Sequence, residues 1–128
     1  MVRYSIKQKK AVITLVFEAM VVDRKEINDK RSGYLQVVAD LMQITNEIFE
    51  DAMNNMSHHE ALSILAEMSS REKARIAIIL FQMFTADGTP IDDLHKRLFN
   101  NIDGVAHIKE ALISTKLINW VANLKQLM

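Results

Sequence analysis

Five aspartates beside two helix-connecting turns are the residues of this sequence best suited to chemistry. Hard cations such as Ca²⁺ and Mg²⁺ prefer carboxylate oxygens and need several of them at one point. The pattern therefore predicts a divalent-cation site made by the two turns. The alternative is helix capping, because an aspartate at a helix start accepts backbone N–H groups and complements the helix dipole. The candidate metal ligands are Asp23, Asp29, Asp87, Asp92 and Asp93.

Catalytic motifs are incomplete in this sequence. Residues 59–63 begin like a zinc-protease motif, but Ser63 stands where the second histidine ligand is required. The three glycines are scattered along the chain, so they cannot form a phosphate-binding loop. We therefore expect no enzymatic activity. The less favoured alternative is a metal-dependent hydrolase in which His95 lies beside the aspartates.

The composition excludes several classes of function. Sixteen basic and sixteen acidic residues give a formal net charge of zero, which argues against general nucleic-acid binding. With no cysteine, the chain has neither a disulfide nor a thiolate ligand. The apolar residues 11–22 are fewer than the ~20 that cross a bilayer, and a charged run follows them. We expect a cytoplasmic protein without direct membrane insertion.

The hydrophobic pattern predicts helices throughout, because apolar residues recur at helical spacing and no alternating strand pattern is present. Ser57 with Glu60 and Ser69 with Glu72 predict two capping boxes. Thr89 is expected to cap a further helix that has Pro90 at its first position. Gly104 is expected to interrupt the helical structure. The predicted helices cover residues 4–22, 29–42, 45–53, 57–68, 69–86, 90–101 and 105–128, the last in one or two pieces.

The two halves of the chain repeat at an offset of 64 residues. Residues 17–23 align with residues 81–87, which places Asp23 on Asp87, and Ile27 then falls on Ile91. Each half is predicted to contain a buried helix, a loop that begins with aspartate, and an amphipathic helix. Two such hairpins can pack about a pseudo-twofold axis. The sequence thus predicts an all-α compact bundle of about seven helices, built from two pseudo-symmetric halves.

Residues 84–92, which read Phe-Thr-Ala-Asp-Gly-Thr-Pro-Ile-Asp and close an apolar helix, resemble the "ADG…I/V-D" signature of the tellurite-resistance TerB-like family. Residues 69–73 and the first copy at residues 22–23 fit the layout of that family. The resemblance covers residues 6–103. It implies a helical domain over residues 1–104 and metal binding at the acidic loops in some members. It also implies stress-response roles without catalytic activity.

The C-terminal residues 105–128 are expected to form an added helix, packed on the bundle or at an interface. Their large apolar side chains follow helical spacing, and such a face must be covered. This face packs either on the chain's own bundle or against a partner, as a dimer seam or a binding site. The candidate partner-binding residues are Ile113, Leu117, Trp120, Val121 and Leu124.

Acidic residues are concentrated in one part of the chain. Residues 32–70 contain six acidic side chains and no basic one. Such polarity is typical either of association with a charged partner or of a solvated acidic face. The sequence as a whole predicts a non-enzymatic interaction or sensing module that binds a protein partner, with a Ca²⁺ or Mg²⁺ ion at the aspartate loops. A structural homodimer through the C-terminal helix is the alternative.

Overall fold

Seven α-helices and two short 3₁₀ turns make up the computed structural model, which describes residues 3–128. These residues contain no strand, which confirms the prediction of an all-helical bundle. Residues 1 and 2 of the predicted domain lie outside the described part. The helices are α1 (Ile6–Val21), α2 (Asp29–Leu41), α3 (Asn46–Asn55), α4 (His58–Ala66), α5 (Ser70–Phe84), α6 (Asp93–Ala106) and α7 (Ile108–Ser114), and the 3₁₀ turns are Leu117–Trp120 and Leu124–Leu127.

Helices α1 and α5 form the centre of the bundle, because both are apolar on almost every side. Helix α1 packs against α2, α3, α4 and α5, while α5 also contacts α6 and α7. The side chains of Ile13 and Leu15 in α1, and of Ile76 and Leu80 in α5, are completely buried. None of the described helices combines the length and the apolar character that crossing a membrane would require.

The starts of α4 and α5 are set by serine N-caps, as predicted. Ser57 and Ser69 each accept the backbone N–H three residues later. The capping boxes are nevertheless only half formed, because neither Glu60 nor Glu72 returns a bond to the N-cap backbone. Glu72 instead accepts a hydrogen bond from the Tyr4 hydroxyl, which joins the N-terminal segment to α5.

Helix α6 begins later than predicted. The N-cap is Asp92, whose carboxylate accepts the His95 N–H at 2.9 Å, while Thr89 and Pro90 lie in the preceding loop. Thr89 instead donates both its hydroxyl and its N–H to the carboxylate of Asp87. The prediction that Thr89 caps this helix, with Pro90 at its first position, is therefore wrong, and Asp92 is the cap.

The C-terminal residues 105–128 were predicted to be helical in one or two pieces, but they are α-helical only as far as Ser114, beyond which two 3₁₀ turns replace a further α-helix. Helix α6 continues through Gly104, because one glycine costs a helix only about 1 kcal/mol and Ile102 and Ala106 on either side of it are buried. Beyond α6, α7 and the two 3₁₀ turns are each preceded by a residue with left-handed backbone angles. These residues are His107, Lys116 and Asn123.

Candidate functional site

The two loops that leave the central helices have the same turn at their start. Asp23 follows α1 and Asp87 follows α5. In each loop the Oδ1 atom of the aspartate accepts a backbone N–H from two residues further on, namely Lys25 at 3.1 Å and Thr89 at 3.0 Å. This local bond orients each carboxylate toward the interior and explains why aspartate stands at both positions.

Arg31, in the first turn of α2, connects the two loops. Its Nη1 and Nη2 atoms bind the Asp23 carboxylate at 2.8 and 2.5 Å, and its Nε atom binds Asp87 Oδ2 at 3.0 Å. Nη1 also donates to the carbonyl oxygen of Met20 at 3.1 Å. The Arg31 and Asp23 side chains are 1% and 0% exposed. The aspartates therefore form a buried ion-pair network around one guanidinium group.

The network keeps its members charged at neutral pH. Hydrogen bonding to Arg31 is the main reason that the pKa of Asp23 falls to about 2, although burial opposes the shift. The pKa of Asp87 is also lowered, chiefly by the hydroxyl of Thr89, with further contributions from the Asn28 amide and the Arg31 charge. The bond to Asp23 in turn raises the pKa of Arg31. The two carboxylates and the guanidinium are therefore charged while they are hydrogen-bonded to each other.

His95 lies against the same network and is neutral in it. Its ring stacks on Phe84, with 4.5 Å between ring centroids, and no part of it is exposed. Nδ1 accepts the N–H of Asp92 at 3.2 Å, so the ring proton belongs on Nε2. Nε2 lies 3.3 Å from Asp23 Oδ2 without the alignment of a hydrogen bond. Burial lowers the pKa of His95, despite the charges of Asp92 and Asp23.

The structure brings some of the predicted metal ligands together and separates the others. Asp23 and Asp87 meet at the same guanidinium. Asp92 caps α6, as the capping alternative predicts, while Asp29 and Asp93 lie exposed in the first turns of α2 and α6. Among the described residues, the ligand atoms of Asp23, Asp92 and His95 lie within 4.8 Å of one another.

That grouping does not by itself make a cation site. The Arg31 guanidinium already holds the Asp23 oxygen that faces His95, and a dication there would lie beside a positive charge. The Nε2 atom of His95 carries the ring proton, so it has no free lone pair for a metal. The predicted Ca²⁺ or Mg²⁺ ion therefore stays a prediction.

Sequence reasoning missed Arg31 as a member of the site and assigned His95 only to a less favoured alternative. Arginine at the start of an amphipathic helix is ordinarily solvated. A signal was nevertheless present, because the offset of 64 residues that aligns Asp23 with Asp87 also aligns Arg31 with His95. The two residues are among the few buried polar side chains of the described chain.

The C-terminal candidates divide into buried and exposed residues. Leu124 is completely buried, and Leu117 and Val121 pack partly against the core, as expected if the segment packs on its own bundle. Ile113 and Trp120 are 61% and 81% exposed. Trp120 borders a shallow cleft of about 380 Å³, which we call the Trp120 cleft. The residues that line it are Arg71, Thr115, Leu117 and Trp120.

Acid should weaken the network through Asp23. A carboxyl group whose pKa falls from 3.8 to about 2 on folding stabilises the folded chain above its unfolded pKa, and loses that effect as the pH falls toward the folded value. We expect Asp23 to account for about 2 kcal/mol of the stability lost between about pH 5 and pH 2. Urea unfolding across this range should show that Asp23→Asn loses less of its free energy of unfolding than the wild type does. The exposed Asp29→Asn should match the wild type, whereas an equal acid loss in Asp23→Asn would contradict the expectation.

Comparisons with protein-family models, curated proteins and solved structures each find no match for this chain. The resemblance to the TerB-like family therefore stays a prediction that rests on the residues quoted above.

Proposed function

We propose that this chain is a non-enzymatic protein-interaction module of the TerB-like type, and that its partner docks at the Trp120 cleft. The observation that carries the proposal is the 81% exposure of Trp120, the only tryptophan of the sequence. A tryptophan side chain in water lacks the favourable free energy that burial would give it, and tryptophan is enriched at the centres of protein interfaces. Ile113 on the preceding helix α7 is also exposed.

The charges around the cleft indicate the chemistry of the partner. Arg71 lines the cleft and is exposed, and the exposed Lys116 lies between α7 and the 3₁₀ turn that carries Trp120. Arginine beside an aromatic ring is a frequent combination at interface hot spots. The partner segment therefore offers one large apolar side chain for the cleft and at least one carboxylate for Arg71.

The duplicated architecture supports the TerB-like assignment. Shifting α1 and α2 by 64 residues gives 70–85 and 93–105, which nearly coincide with α5 and α6. The N-caps Ser5 and Ser69 correspond at this offset. So do Arg24 and Gly88, which have left-handed φ angles of 60° and 83°. Two halves with the same caps and turns are the arrangement that the resemblance implies.

The buried network supports a role without catalysis. A general acid or base must reach a substrate and must be free to exchange its proton. Asp23 and Asp87 are instead held by Arg31, and His95 is enclosed beside them. Since these groups bind one another across helices, we assign them to the stability of the module and not to a reaction.

Photo-crosslinking tests the docking surface. A benzophenone amino acid at Ile113, in cells that produce the protein, should give one discrete adduct, and Trp120→Ala should reduce it by about fivefold or more. The same probe at Leu41, an apolar residue that is 79% exposed on α2, is the matched control and should not give that adduct. An adduct with the mass of two copies would identify the homodimer instead.

The result is interpretable because Trp120 contributes little to the core. With most of its surface in solvent, Trp120→Ala should leave the midpoint of thermal unfolding nearly unchanged. The proposal fails if the Ile113 probe gives no specific adduct, or if Trp120→Ala leaves the adduct at its wild-type level.

A further inference from the structure

The guanidinium group of Arg31 lies where four oxygen atoms converge. They are both carboxylate oxygens of Asp23, Oδ2 of Asp87 and the carbonyl oxygen of Met20, at 2.5 to 3.1 Å from the guanidinium nitrogens. Carboxylate and backbone carbonyl oxygens are also the ligands that Ca²⁺ and Mg²⁺ take in proteins. The chain thus encloses a cation, but the cation is one of its own side chains.

We propose that Arg31 is a built-in substitute for a divalent cation: it joins the two aspartate loops without metal, and its removal opens a Ca²⁺- or Mg²⁺-binding site between Asp23 and Asp87. The oxygens that would form this site belong to Asp23 and Asp87 in the two loops and to Met20 in the last turn of α1. The two carboxylates are already oriented by the turns at Lys25 and Thr89, which do not involve the guanidinium.

The wild-type chain is closed to such an ion for two physical reasons. The guanidinium is 1% exposed and bound on three of its nitrogens, so a cation would first have to displace a buried group. Arginine also remains protonated in proteins, so it cannot yield its place by losing a proton. A dication entering beside it would meet a fixed positive charge.

Charge balance explains why the emptied site would attract a metal ion. The two carboxylates together carry two negative charges, and the guanidinium neutralises one of them. Without Arg31, the buried Asp23 and the nearly buried Asp87 would lie close together as like charges, which is unfavourable in a low-dielectric interior. A divalent cation neutralises both.

The inference is independent of the partner proposal, because it concerns the opposite end of α5 from Arg71 in the Trp120 cleft. Its test compares thermal unfolding of the wild type and Arg31→Ala in EDTA with unfolding in about 5 mM CaCl₂ or MgCl₂. We expect no response from the wild type. For Arg31→Ala we expect a lower midpoint in EDTA and a rise of about 5–10 °C with at least one of the two cations.

Two further variants distinguish the site from a general salt effect. The double variant Arg31→Ala/Asp23→Asn lacks a central ligand and should lose the rise. Arg31→Lys keeps a positive charge near the carboxylates and should remain insensitive to both cations. If Arg31→Ala is unfolded in EDTA, recovery of its helical circular dichroism on adding CaCl₂ or MgCl₂ replaces the midpoint as the readout.

Three outcomes would overturn the proposal. The first is a saturable shift of wild-type amide resonances at the Asp23 and Asp87 loops on titration with either cation, since the wild-type site should be closed. The second is an Arg31→Ala protein that neither gains stability nor refolds with either cation. The third is an equal gain in the double variant, which would place the ion elsewhere.

Discussion

Arg31→Met should lower the free energy of unfolding by about 3–5 kcal/mol in the absence of divalent cations. Methionine retains an aliphatic side chain of similar reach but removes the guanidinium. Asp23, whose side chain is 0% exposed, and Asp87, whose side chain is 9% exposed, then lose their shared partner. A buried carboxylate without a partner must either remain charged at a large desolvation cost or take up a proton. Urea unfolding at neutral pH in EDTA measures the loss.

A matched control is available on the same helix. Lys30 precedes Arg31 in α2 and is exposed, so Lys30→Met removes the same charge from the surface. That variant should change the free energy of unfolding by no more than about 0.5 kcal/mol. A loss of under 1 kcal/mol in Arg31→Met would show that the network contributes far less than its burial and geometry indicate.

Phe84→Ala should also lower the free energy of unfolding by about 3–5 kcal/mol. Phe84 is 1% exposed, lies in the last turn of α5 and supports the ring of His95 from one side. The substitution leaves a cavity beside His95 and removes a stacking contact. As a control, Phe49→Ala should lower the free energy of unfolding by less, because Phe49 is only half-buried and meets Phe17 edge to face.

A double-mutant cycle separates the stacking contact from the cavity. Phe84→Ala and His95→Ala remove the two partners of a pair whose centroids are 4.5 Å apart. We expect a coupling free energy of about 0.5–1.5 kcal/mol between them. Strict additivity of the two losses would mean that Phe84 acts by filling space alone, and that it does not orient His95.

Local signals predicted the helices well. Residues 11–16, all apolar except Thr14, are buried in α1, as expected for a central helix that other helices cover. The N-caps Thr45, Ser57 and Ser69 were found correctly, because each cap bonds a backbone group only three residues away. Such interactions depend on neighbouring residues, so a single sequence contains the information they need.

Competing interactions explain the errors at the boundaries. Thr89 and Asp92 are both good capping residues, but the hydroxyl of Thr89 binds Asp87 and the carboxylate of Asp92 caps α6. The apolar spacing of residues 105–128 predicted a helix in one or two pieces, but left-handed backbone angles at Lys116 and Asn123 leave only 3₁₀ turns beyond α7. The hydrophobic periodicity of a sequence contains no information about those backbone angles.

The centre of the candidate site was the least predictable part. The sequence identified the aspartates, since carboxylates at loops are conspicuous, but it gave no reason to bury Arg31 in α2. Burial of a guanidinium is decided by the partners that tertiary folding brings to it, here from the ends of α1 and α5. Only the alignment of Arg31 with His95 in the repeat pointed to a shared position.

At that shared position the two halves of the chain differ in charge. Arg31 and His95 correspond at the offset of 64 residues, and both lie against the carboxylate of Asp23. Arg31 is held there by charged hydrogen bonds to Asp23, whereas the neutral ring of His95 is held by Phe84 and by the N–H of Asp92. One position thus supplies the positive charge of the network, and the other fills the space beside it. The two halves are therefore alike in their helices and turns but unlike in charge at their shared centre.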